Sequence, residues 1–293
     1  MADQTLKSMT QTRDISVGHF IVEFATPGIG HLMKNAGADY VLFDMEHSGF
    51  SIETVKRCVR YMEAANLPMI TRVPSKSYDH IARVLDMGAE GVMVPMVNDA
   101  DEARAVVDAV KYGPEGKRGV ALGIAHDGYR GGAVLDSLAA ANARTTVFAQ
   151  IETAEGVDNV EAIAATPGID CLWVGHFDLS SSLGIPGEFD NPKFTDAIAK
   201  TIEAARKHGK ATGRLVPSVE SGIEMHGVGF DMICYSGDVW MFTEALRGAV
   251  ATIREKAKPK PVAKPRAKRA PARGAATARR KSPAAPKRTR KPS

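Results

Sequence analysis

Short apolar runs alternate with amphipathic segments along most of the chain, and this alternation constrains the fold more than any other feature. Eight runs have the length and composition of buried strands, and helical spacing or a helix cap follows them. They cover residues 19–24, 39–44, 69–73, 91–96, 146–149, 171–174, 210–216 and 231–235. Eight strand–helix units in about 250 residues predict an α/β fold, a (β/α)8 TIM barrel. The competing fold is a doubly wound open sheet, but no Gly-x-Gly-x-x-Gly pattern follows the first strand.

Several segment boundaries can be predicted from local chemistry. Ser51, Asp99 and Ser218 are predicted to cap the N-termini of helices. Residues 154–165 are predicted to form one helix between the fifth and sixth strands, and the last helix is predicted to end near residue 253. Residues 112–132 and 180–192 are predicted loops, and loops this long in a compact domain are usually functional.

The charge is divided sharply between two parts of the chain. From residue 254 onward there are 16 Lys and Arg and a single acid, whereas the preceding residues hold 22 Lys and Arg and 33 Asp and Glu. We therefore predict a catalytic barrel domain over residues 1–256, with a net acidic body, and a disordered basic tail over residues 257–293. The tail is a candidate for sequence-independent contact with nucleic acid or another polyanion, and the alternative is a solubilising extension.

Cysteine usage and hydropathy predict a cytoplasmic protein. The three cysteines are odd in number, far apart and in apolar stretches, so a disulfide framework or zinc site is not expected. Residues 1–14 are polar and lack the apolar core of a signal peptide. No apolar run is long enough to span a membrane.

In a barrel of this kind the active site lies at the carboxyl ends of the strands, so polar residues there are the candidates. They are Glu46, His47, Arg72, Gln150, Glu152, Asp178, Ser236 and Asp238. Glu152 and Asp178 follow strands five and six, which a crossover helix should make parallel and adjacent. Two carboxylates with open coordination positions suit Mg²⁺ or Mn²⁺, although two solvated loop carboxylates are the alternative.

Two further residues at this edge have the right chemistry for an oxoacid substrate. The Arg72 guanidinium could hold a carboxylate through two parallel hydrogen bonds, or form an ion pair with an acid such as Glu46. His47 could accept a proton near neutral pH, or could be a merely hydrogen-bonded loop histidine. No lysine except Lys76 lies near this edge, which argues against a Schiff-base mechanism and favours a metal-stabilised enolate.

Six motifs in this order resemble those of the HpcH/HpaI family of metal-dependent (class II) pyruvate aldolases. They are Asp44-Met45-Glu46-His47, Arg72-Val73-Pro74, Gly91-Val92-Met93-Val94-Pro95-Met96-Val97, Lys117-Arg118-Gly119, Gln150-Ile151-Glu152-Thr153 and Gly175-x-x-Asp178-Leu179-Ser180. The resemblance covers residues 14–253. It implies a barrel enzyme that cleaves a 4-hydroxy-2-oxoacid reversibly into pyruvate and an aldehyde.

The resemblance also implies which residues bind the metal and pyruvate. Glu152 and Asp178 match the metal ligands, with Co²⁺ as a further candidate beside Mg²⁺ and Mn²⁺. Arg72 matches the arginine that holds pyruvate against the metal, and Gln150 matches a glutamine lining the metal site. The backbone of Gly175, His176 and Phe177 matches the turn that receives the pyruvate carboxylate.

For proton transfer, the resemblance implies that His47 is the general base, which removes the C4 hydroxyl proton, with Asp44 and Asp86 as its supports. Members of the family are typically hexamers, trimers of dimers, that exchange the last helix between subunits.

The chain departs from the family pattern in two places. Gly175-His176-Phe177-Asp178 replaces the common Gly-Pro-x-Asp, and residues 121–132 lack the arginine-rich loop of the aldolases that act on dicarboxylic substrates. Both segments border the aldehyde side, so the aldehyde is not predicted. Two rival functions are a CoA-thioester lyase of the same fold, such as a malyl- or citramalyl-CoA lyase, and a nucleic-acid-associated protein on a catalytically idle barrel.

Overall fold

The structure, a computed structural model, describes residues 5–257 and is built on a closed barrel of eight parallel strands. The strands are β1 (Ser16–Ile21), β2 (Tyr40–Asp44), β3 (Met69–Arg72), β4 (Gly91–Val94), β5 (Thr146–Ile151), β6 (Cys171–Val174), β7 (Ala211–Val216) and β8 (Met232–Gly237). Each strand pairs in parallel with the next along the chain, and β8 pairs with β1. The predicted (β/α)8 barrel is therefore confirmed.

Helices follow the strands and surround the barrel. They are α1 (Leu6–Thr12), α2 (Ile29–Asn35), α3 (Ile52–Ala64), α4 (Tyr78–Asp86), α5 (Ala100–Val110), α6 (Val134–Arg144), α7 (Ala154–Asp158), α8 (Val160–Ala165), α9 (His176–Ser182), α10 (Pro192–Lys207), α11 (Val219–Val228) and α12 (Asp238–Lys256), with a 3-10 turn at Ala125–Asp127. Ser51, Asp99 and Ser218 cap α3, α5 and α11 as predicted, each accepting a backbone N–H of the first turn.

The apolar core has two layers because successive strand residues point to opposite faces of the sheet. One layer fills the barrel interior and includes Tyr40, Phe148 and Trp173. The larger layer lies between the strands and the helices. A Cβ at residue 213 would overlap the Trp173 indole, so only glycine fits at that point inside the barrel.

Helix α1 was not predicted, and it covers the amino-terminal end of the barrel. Leu6 and Met9 are 1% exposed and belong to the interior cluster. Lys7 forms an ion pair with Asp170 at 2.6 Å. Only two apolar residues carry this contact, which is too few for a helical period to stand out in the sequence.

Tertiary contacts shifted two predicted boundaries. The first strand spans Ser16–Ile21 instead of residues 19–24, because the backbone N–H groups of Val22, Glu23 and Phe24 donate to the Asp238 carboxylate and not to a neighbouring strand. The helix predicted for residues 154–165 is divided into α7 and α8 at Asn159, whose side-chain amide donates to the Asn98 carbonyl at 2.9 Å.

Backbone contacts divide the chain into two units, Met1–Val250 and Ala251–Ser293. In the second unit the structure describes residues 251–257, which are the end of α12 and the residue after it. The predicted basic tail otherwise lies outside the described residues. No helix within residues 5–257 has the length and apolarity needed to cross a bilayer.

Candidate active site

A cavity of about 480 Å³ opens at the carboxyl ends of the strands, where the sequence places the candidate residues. Its polar lining comes from the ends of four strands, β2, β3, β5 and β6, or the segments after them: Asp44, His47, Arg72, Gln150, His176 and Asp178. Phe20, Leu42, Trp173, Leu215 and Trp240 form most of the apolar wall. The structure therefore brings together polar residues that are up to 134 positions apart in the sequence, from Asp44 to Asp178.

Glu152 is a buried carboxylate beside Gln150 of the cavity lining, with 2% of its surface exposed. One oxygen, Oε1, accepts the Met96 backbone N–H at 2.7 Å, and the other, Oε2, accepts the Gln150 side-chain amide. Gly175 lies against the same carboxylate. A Cβ at residue 175 would overlap Glu152 Oε2 and would lie 2.8 Å from Gln150 Nε2. Glycine is thus required at residue 175 because the Glu152 and Gln150 side chains lie too close for a Cβ atom, and not because the backbone conformation is unusual.

The surroundings of Glu152 carry an excess of negative charge. Burial, with a smaller contribution from the nearby carboxylates of Glu46 and Asp178, raises the pKa of Glu152 to about 7, although the hydrogen bonds from Met96 N–H and Gln150 oppose the rise. The pKa of Glu46 is also raised, again mainly by burial. Gln150 Oε1 is buried and has no hydrogen-bond partner within residues 5–257. A buried acid, neighbouring carboxylates and an unused amide oxygen are the surroundings that a cation would stabilise.

The turn that donates to Glu152 is held in a strained conformation. Met96 has a φ of 58°, in the left-handed region that costs a methionine energy. The Lys76 ammonium donates to the Met96 carbonyl at 3.0 Å and pairs with Glu102. Lys76, the lysine nearest this edge in the sequence, therefore holds the turn.

Arg72 is fixed by two acids from the neighbouring strand. Its Nε donates to Asp44 Oδ1 at 2.8 Å, and Nη1 lies 3.2 Å from Glu46 Oε2. Its guanidinium lies over the Phe20 ring at 5.2 Å. These contacts raise the pKa of Arg72 although burial alone would lower it, so the group stays charged at the cavity wall.

His47 borders the cavity with 64% of its side chain exposed, and its Nε2 is 3.9 Å from Glu46 Oε2. Asp44 contacts the backbone of this residue and not its ring, because Asp44 Oδ2 accepts the His47 N–H at 3.1 Å. Asp86 ends α4 and pairs with Arg118. Within one chain, Asp44 thus contacts the backbone of the loop that carries His47, whereas Asp86 forms an ion pair with Arg118 instead of contacting His47.

Asp178, His176 and Phe177 lie on the first turn of α9, a helix that the sequence analysis missed. Asp178 and Phe177 are exposed, whereas His176 is buried against Phe177 and Phe189. Burial, and the positive charge of Arg214, lower the pKa of His176 to about 4. The imidazole is therefore neutral at physiological pH and forms part of the wall.

Two further polar residues, the candidate Asp238 and the loop residue His126, have structural contacts. Asp238 is 4% exposed and binds three backbone N–H groups after β1. His126, in the long loop, is 2% exposed and its Nε2 contacts the Ala121 carbonyl at 2.6 Å. In contrast, Trp240 lines the cavity and was missed, because nothing in the sequence says that the start of α12 turns toward the site.

Protein side chains alone would not complete a metal site here. Among the described residues, no group of three or more His, Cys, Asp and Glu side chains is arranged to hold a metal ion. Two carboxylates, Glu152 and Asp178, leave several positions for water or substrate oxygens, which suits a hard divalent cation.

Comparison with known proteins identifies the family. Residues 22–238 match the family model of the HpcH/HpaI aldolase/citrate lyase proteins. The chain therefore belongs to this family of carbon–carbon lyases, as the motifs predicted.

Particular relatives are aldolases by name. The chain is 36% identical to the hydroxypyruvate/pyruvate aldolase of Paraburkholderia phytofirmans, over 85% of this chain and 97% of the relative. It is 34% identical to the 5-keto-4-deoxy-D-glucarate aldolase of Klebsiella pneumoniae, over 75% and 86% of the two chains. The solved HpcH/HpaI aldolase of Desulfitobacterium hafniense matches with a TM-score of 0.82 and 29% identity, over 88% of this chain and 99% of that one.

Proposed function

We propose that this enzyme catalyses the reversible aldol cleavage of a 4-hydroxy-2-oxoacid to pyruvate and an aldehyde, with a divalent metal ion as cofactor. The observation that carries the proposal is one juxtaposition at the edge of the barrel. The buried carboxylate of Glu152 lies in the same site as the charged Arg72 guanidinium, which Asp44 and Glu46 hold in place. The first group suits a cation and the second an oxoacid carboxylate.

Glu152 and Asp178 are the residues that would hold the metal, with Gln150 beside them. The fit rests on the buried, hydrogen-bonded Glu152 and on the unpartnered Gln150 Oε1. When bound, a divalent cation supplies Lewis acidity that draws electrons from the 2-oxo group. Mg²⁺, Mn²⁺ and Co²⁺ all accept oxygen ligands, and the site residues do not separate them.

Arg72 orients the oxoacid in this proposal. Because its rotamer is fixed by Asp44 and by Glu46, it loses little side-chain entropy when the substrate carboxylate binds. Its stacking on Phe20 limits sideways movement. The guanidinium therefore places C3 and C4 of the substrate within the cavity, which is the contribution that positioning residues make to catalysis.

His47 moves the proton. In the cleavage direction its imidazole accepts the C4 hydroxyl proton, the C3–C4 bond breaks, the aldehyde leaves, and the electron pair passes into the pyruvate enolate. The enolate then takes up a proton at C3 and becomes pyruvate. In synthesis the same imidazole returns the proton to the new C4 oxygen. The exposed ring can reach a substrate in the cavity, and the Asp44 contact holds its backbone. Asp86 would support His47 only in an assembly in which Asp86 of one copy lies beside His47 of another.

We also propose that copies of the chain associate by exchanging α12, as members of a hexamer would. Asp238 is the only buried residue of α12, and Trp240, Met241, Phe242 and Leu246 are 43–58% exposed. None of the residues of α11, all of which are described, is buried. On the outer side of the barrel, Val17 of β1 and Leu32 of α2 are 39% and 63% exposed. An apolar helix and an uncovered sheet face are complementary.

Light scattering tests this association. Leu246→Glu would place a charge in the exchanged face and should lower the measured mass of the assembly. An unchanged mass for Leu246→Glu, or a monomeric wild-type protein, would contradict helix exchange.

The basic tail makes a separate proposal possible. Its 14 Lys and Arg residues and its lack of acids after residue 256 favour sequence-independent binding of a polyanion such as duplex DNA. We propose this as an accessory property of an enzyme located in the cytoplasm, a compartment that suits three free cysteines.

A CoA-thioester lyase on the same barrel is the second candidate, and one observation places it lower. Arg72 is the only Arg or Lys among the described residues that line the cavity, and it is already paired with two acids. Arginine and lysine side chains are the usual partners of phosphate groups, and the described lining of the cavity offers the CoA phosphates no such side chain besides Arg72.

A coupled assay of pyruvate release tests the proposal. The enzyme would be supplied with Mn²⁺ or Mg²⁺ and a panel of 4-hydroxy-2-oxoacids and CoA thioesters. Pyruvate from the oxoacids alone supports the aldolase. Turnover of the CoA thioesters alone would contradict the aldolase proposal and would support the CoA-thioester lyase.

A further inference from the structure

A second cavity, of about 600 Å³, lies between α10, α11 and the start of α12, beside the catalytic cavity. The two cavities have His176, Phe177, Leu215 and Trp240 in common. The rest of its wall is largely aromatic and aliphatic, with Phe189, Phe194, Ile198, Val216, Met225 and Val228. No role assigned above uses this space.

Arg214 enters the second cavity as a consequence of strand alternation. Gly213 faces the barrel interior, where the Trp173 ring leaves no room for a side chain, so Arg214 faces outward between α10 and α11. It is 7% exposed, and its guanidinium lies 5.5 Å from the centre of the Phe194 ring.

This guanidinium lacks the partner that a buried charge normally has. Its Nη1 donates to the Met225 sulfur at 2.9 Å, a weak acceptor, and its Nε is buried without any hydrogen-bond partner. None of the ion pairs formed within residues 5–257 includes Arg214, although Glu224 is close enough to act on its charge through space. Burial lowers the pKa of Arg214 to about 10, which still leaves it charged at neutral pH.

An unpaired buried guanidinium is costly, and an apolar residue of similar size would be cheaper at this position. A ligand that supplies the missing negative charge would remove that cost. The planar guanidinium matches a carboxylate, and the surrounding rings match an apolar body. Three acids, Asp190, Glu224 and Glu244, also line the cavity. Their repulsion of an anion grows with its charge, so a single carboxylate that pairs with Arg214 is favoured over a ligand with two or more negative charges.

We propose that the Arg214 cavity is a binding site for a monocarboxylate with an apolar body, separate from the metal and oxoacid site. Val219 and Ile223, the most exposed apolar residues of α11, do not line this cavity, whereas Glu224 and Met225 of the same helix do. Trp240 and Glu244 of α12 also line it, so the cavity shares both helices with the helix exchange proposed above. The proposal does not depend on the aldolase reaction.

The shared wall gives the site a consequence for catalysis. His176, Phe177 and Trp240 contact both cavities, so a carboxylate held by Arg214 limits the positions that these side chains can adopt on the catalytic side. Occupancy should therefore change the apparent affinity for the acceptor aldehyde more than that for pyruvate, whose predicted contacts are at Arg72.

Calorimetric titration of the full-length protein tests the proposal with 3-phenylpropanoate as the probe. This anion has no 2-oxo group and therefore lacks the feature that the catalytic site is expected to recognise. The neutral 3-phenylpropanamide is the matched ligand. We expect the carboxylate to bind roughly 10- to 100-fold more tightly than the amide, as for a charge-assisted hydrogen bond, and we expect saturating pyruvate not to displace it.

Arg214→Met is the decisive variant, since methionine can fill the apolar surroundings without the charge, and Arg57→Met on the exposed face of α3 is its control. Arg214→Met should lose the preference for the carboxylate and melt at the wild-type temperature or higher, because an unpaired buried charge has been removed. The control should bind as wild-type does. Equal carboxylate binding by Arg214→Met, or no binding by the wild-type protein at millimolar probe, would overturn the proposal. A lower melting temperature for Arg214→Met would also overturn it, since Arg214 would then be satisfied within the protein.

Discussion

Gly175→Ala should damage the proposed metal site while leaving the barrel folded. The added methyl would overlap Glu152 Oε2 and would lie 2.8 Å from both Glu152 Cβ and Gln150 Nε2. Ordinary van der Waals contact begins near 3.4 Å. Glu152 must therefore move by at least several tenths of an ångström, or the end of β6 must shift away from β5.

Each response has a characteristic magnitude. Crowding of a packed site typically costs about 1–3 kcal/mol of unfolding free energy, which in a domain of this size lowers the melting temperature by roughly 2–4 °C per kcal/mol. Displacing the carboxylate also breaks its contacts with Met96 N–H and Gln150. Loss of such supporting contacts typically weakens metal binding by about 10- to 100-fold.

The measurement is a Mn²⁺ titration of EDTA-treated protein, followed by electron paramagnetic resonance of the free ion. Gly28→Ala is the matched control, because a Cβ there meets nothing within 4 Å and its backbone is in the right-handed helical region. The control should bind Mn²⁺ as the wild-type protein does. If Gly175→Ala also binds Mn²⁺ with wild-type affinity, Glu152 is not the ligand that this reasoning requires.

Three further predictions concern the proton carrier, the acid at the metal site and the tail. His47→Ala should slow oxoacid cleavage by about 10²–10⁴-fold, measured as pyruvate release, and a wild-type rate across pH 6–9 would make His47 structural. Because burial raises the pKa of Glu152 to about 7 and a metal binds its ionised form, Mn²⁺ affinity should fall as pH decreases below 7, by up to about tenfold per pH unit. A flat affinity between pH 5.5 and 7.5 would show that Glu152 is already ionised without metal. A chain that ends at Ala257 should keep its aldolase activity but should not bind duplex DNA. The full-length protein should bind duplex DNA with an affinity that falls steeply as salt rises. Equal gel shifts for both chains would place DNA binding on the barrel.

Much of the fold could be predicted because its signals are local and repeated. Eight apolar runs, three side-chain caps and the spacing between them specify strands and helices without reference to distant residues. The elements that were missed depend on tertiary contact instead. Helix α9 has only seven residues and begins at His176, directly after Gly175, so it is too short to show a helical period in the sequence. The end of β1 is decided by Asp238, more than 200 positions later.

The site divides in the same way. The residue types at the strand ends, from Glu46 to Asp178, could be collected from the sequence because the barrel brings all carboxyl ends to one side. Their pairing could not. That Asp44 holds Arg72 and a backbone N–H of the His47 loop follows from side-chain rotamers and register. The left-handed turn at Met96 could not be predicted either, since methionine does not favour that backbone conformation. The burial of Arg214 could not be predicted because arginine usually lies at the surface.

The most direct test of the central claim is pyruvate release from a 4-hydroxy-2-oxoacid by metal-stripped enzyme, before and after Mn²⁺ or Mg²⁺ is restored. Activity should disappear with EDTA and return with the cation in the wild-type protein. Glu152→Gln and Asp178→Asn should not recover at the same metal concentration, because each lacks one of the two charged ligands. Full activity in EDTA after exhaustive dialysis, or full rescue of both variants, would contradict a metal-dependent aldolase at this site.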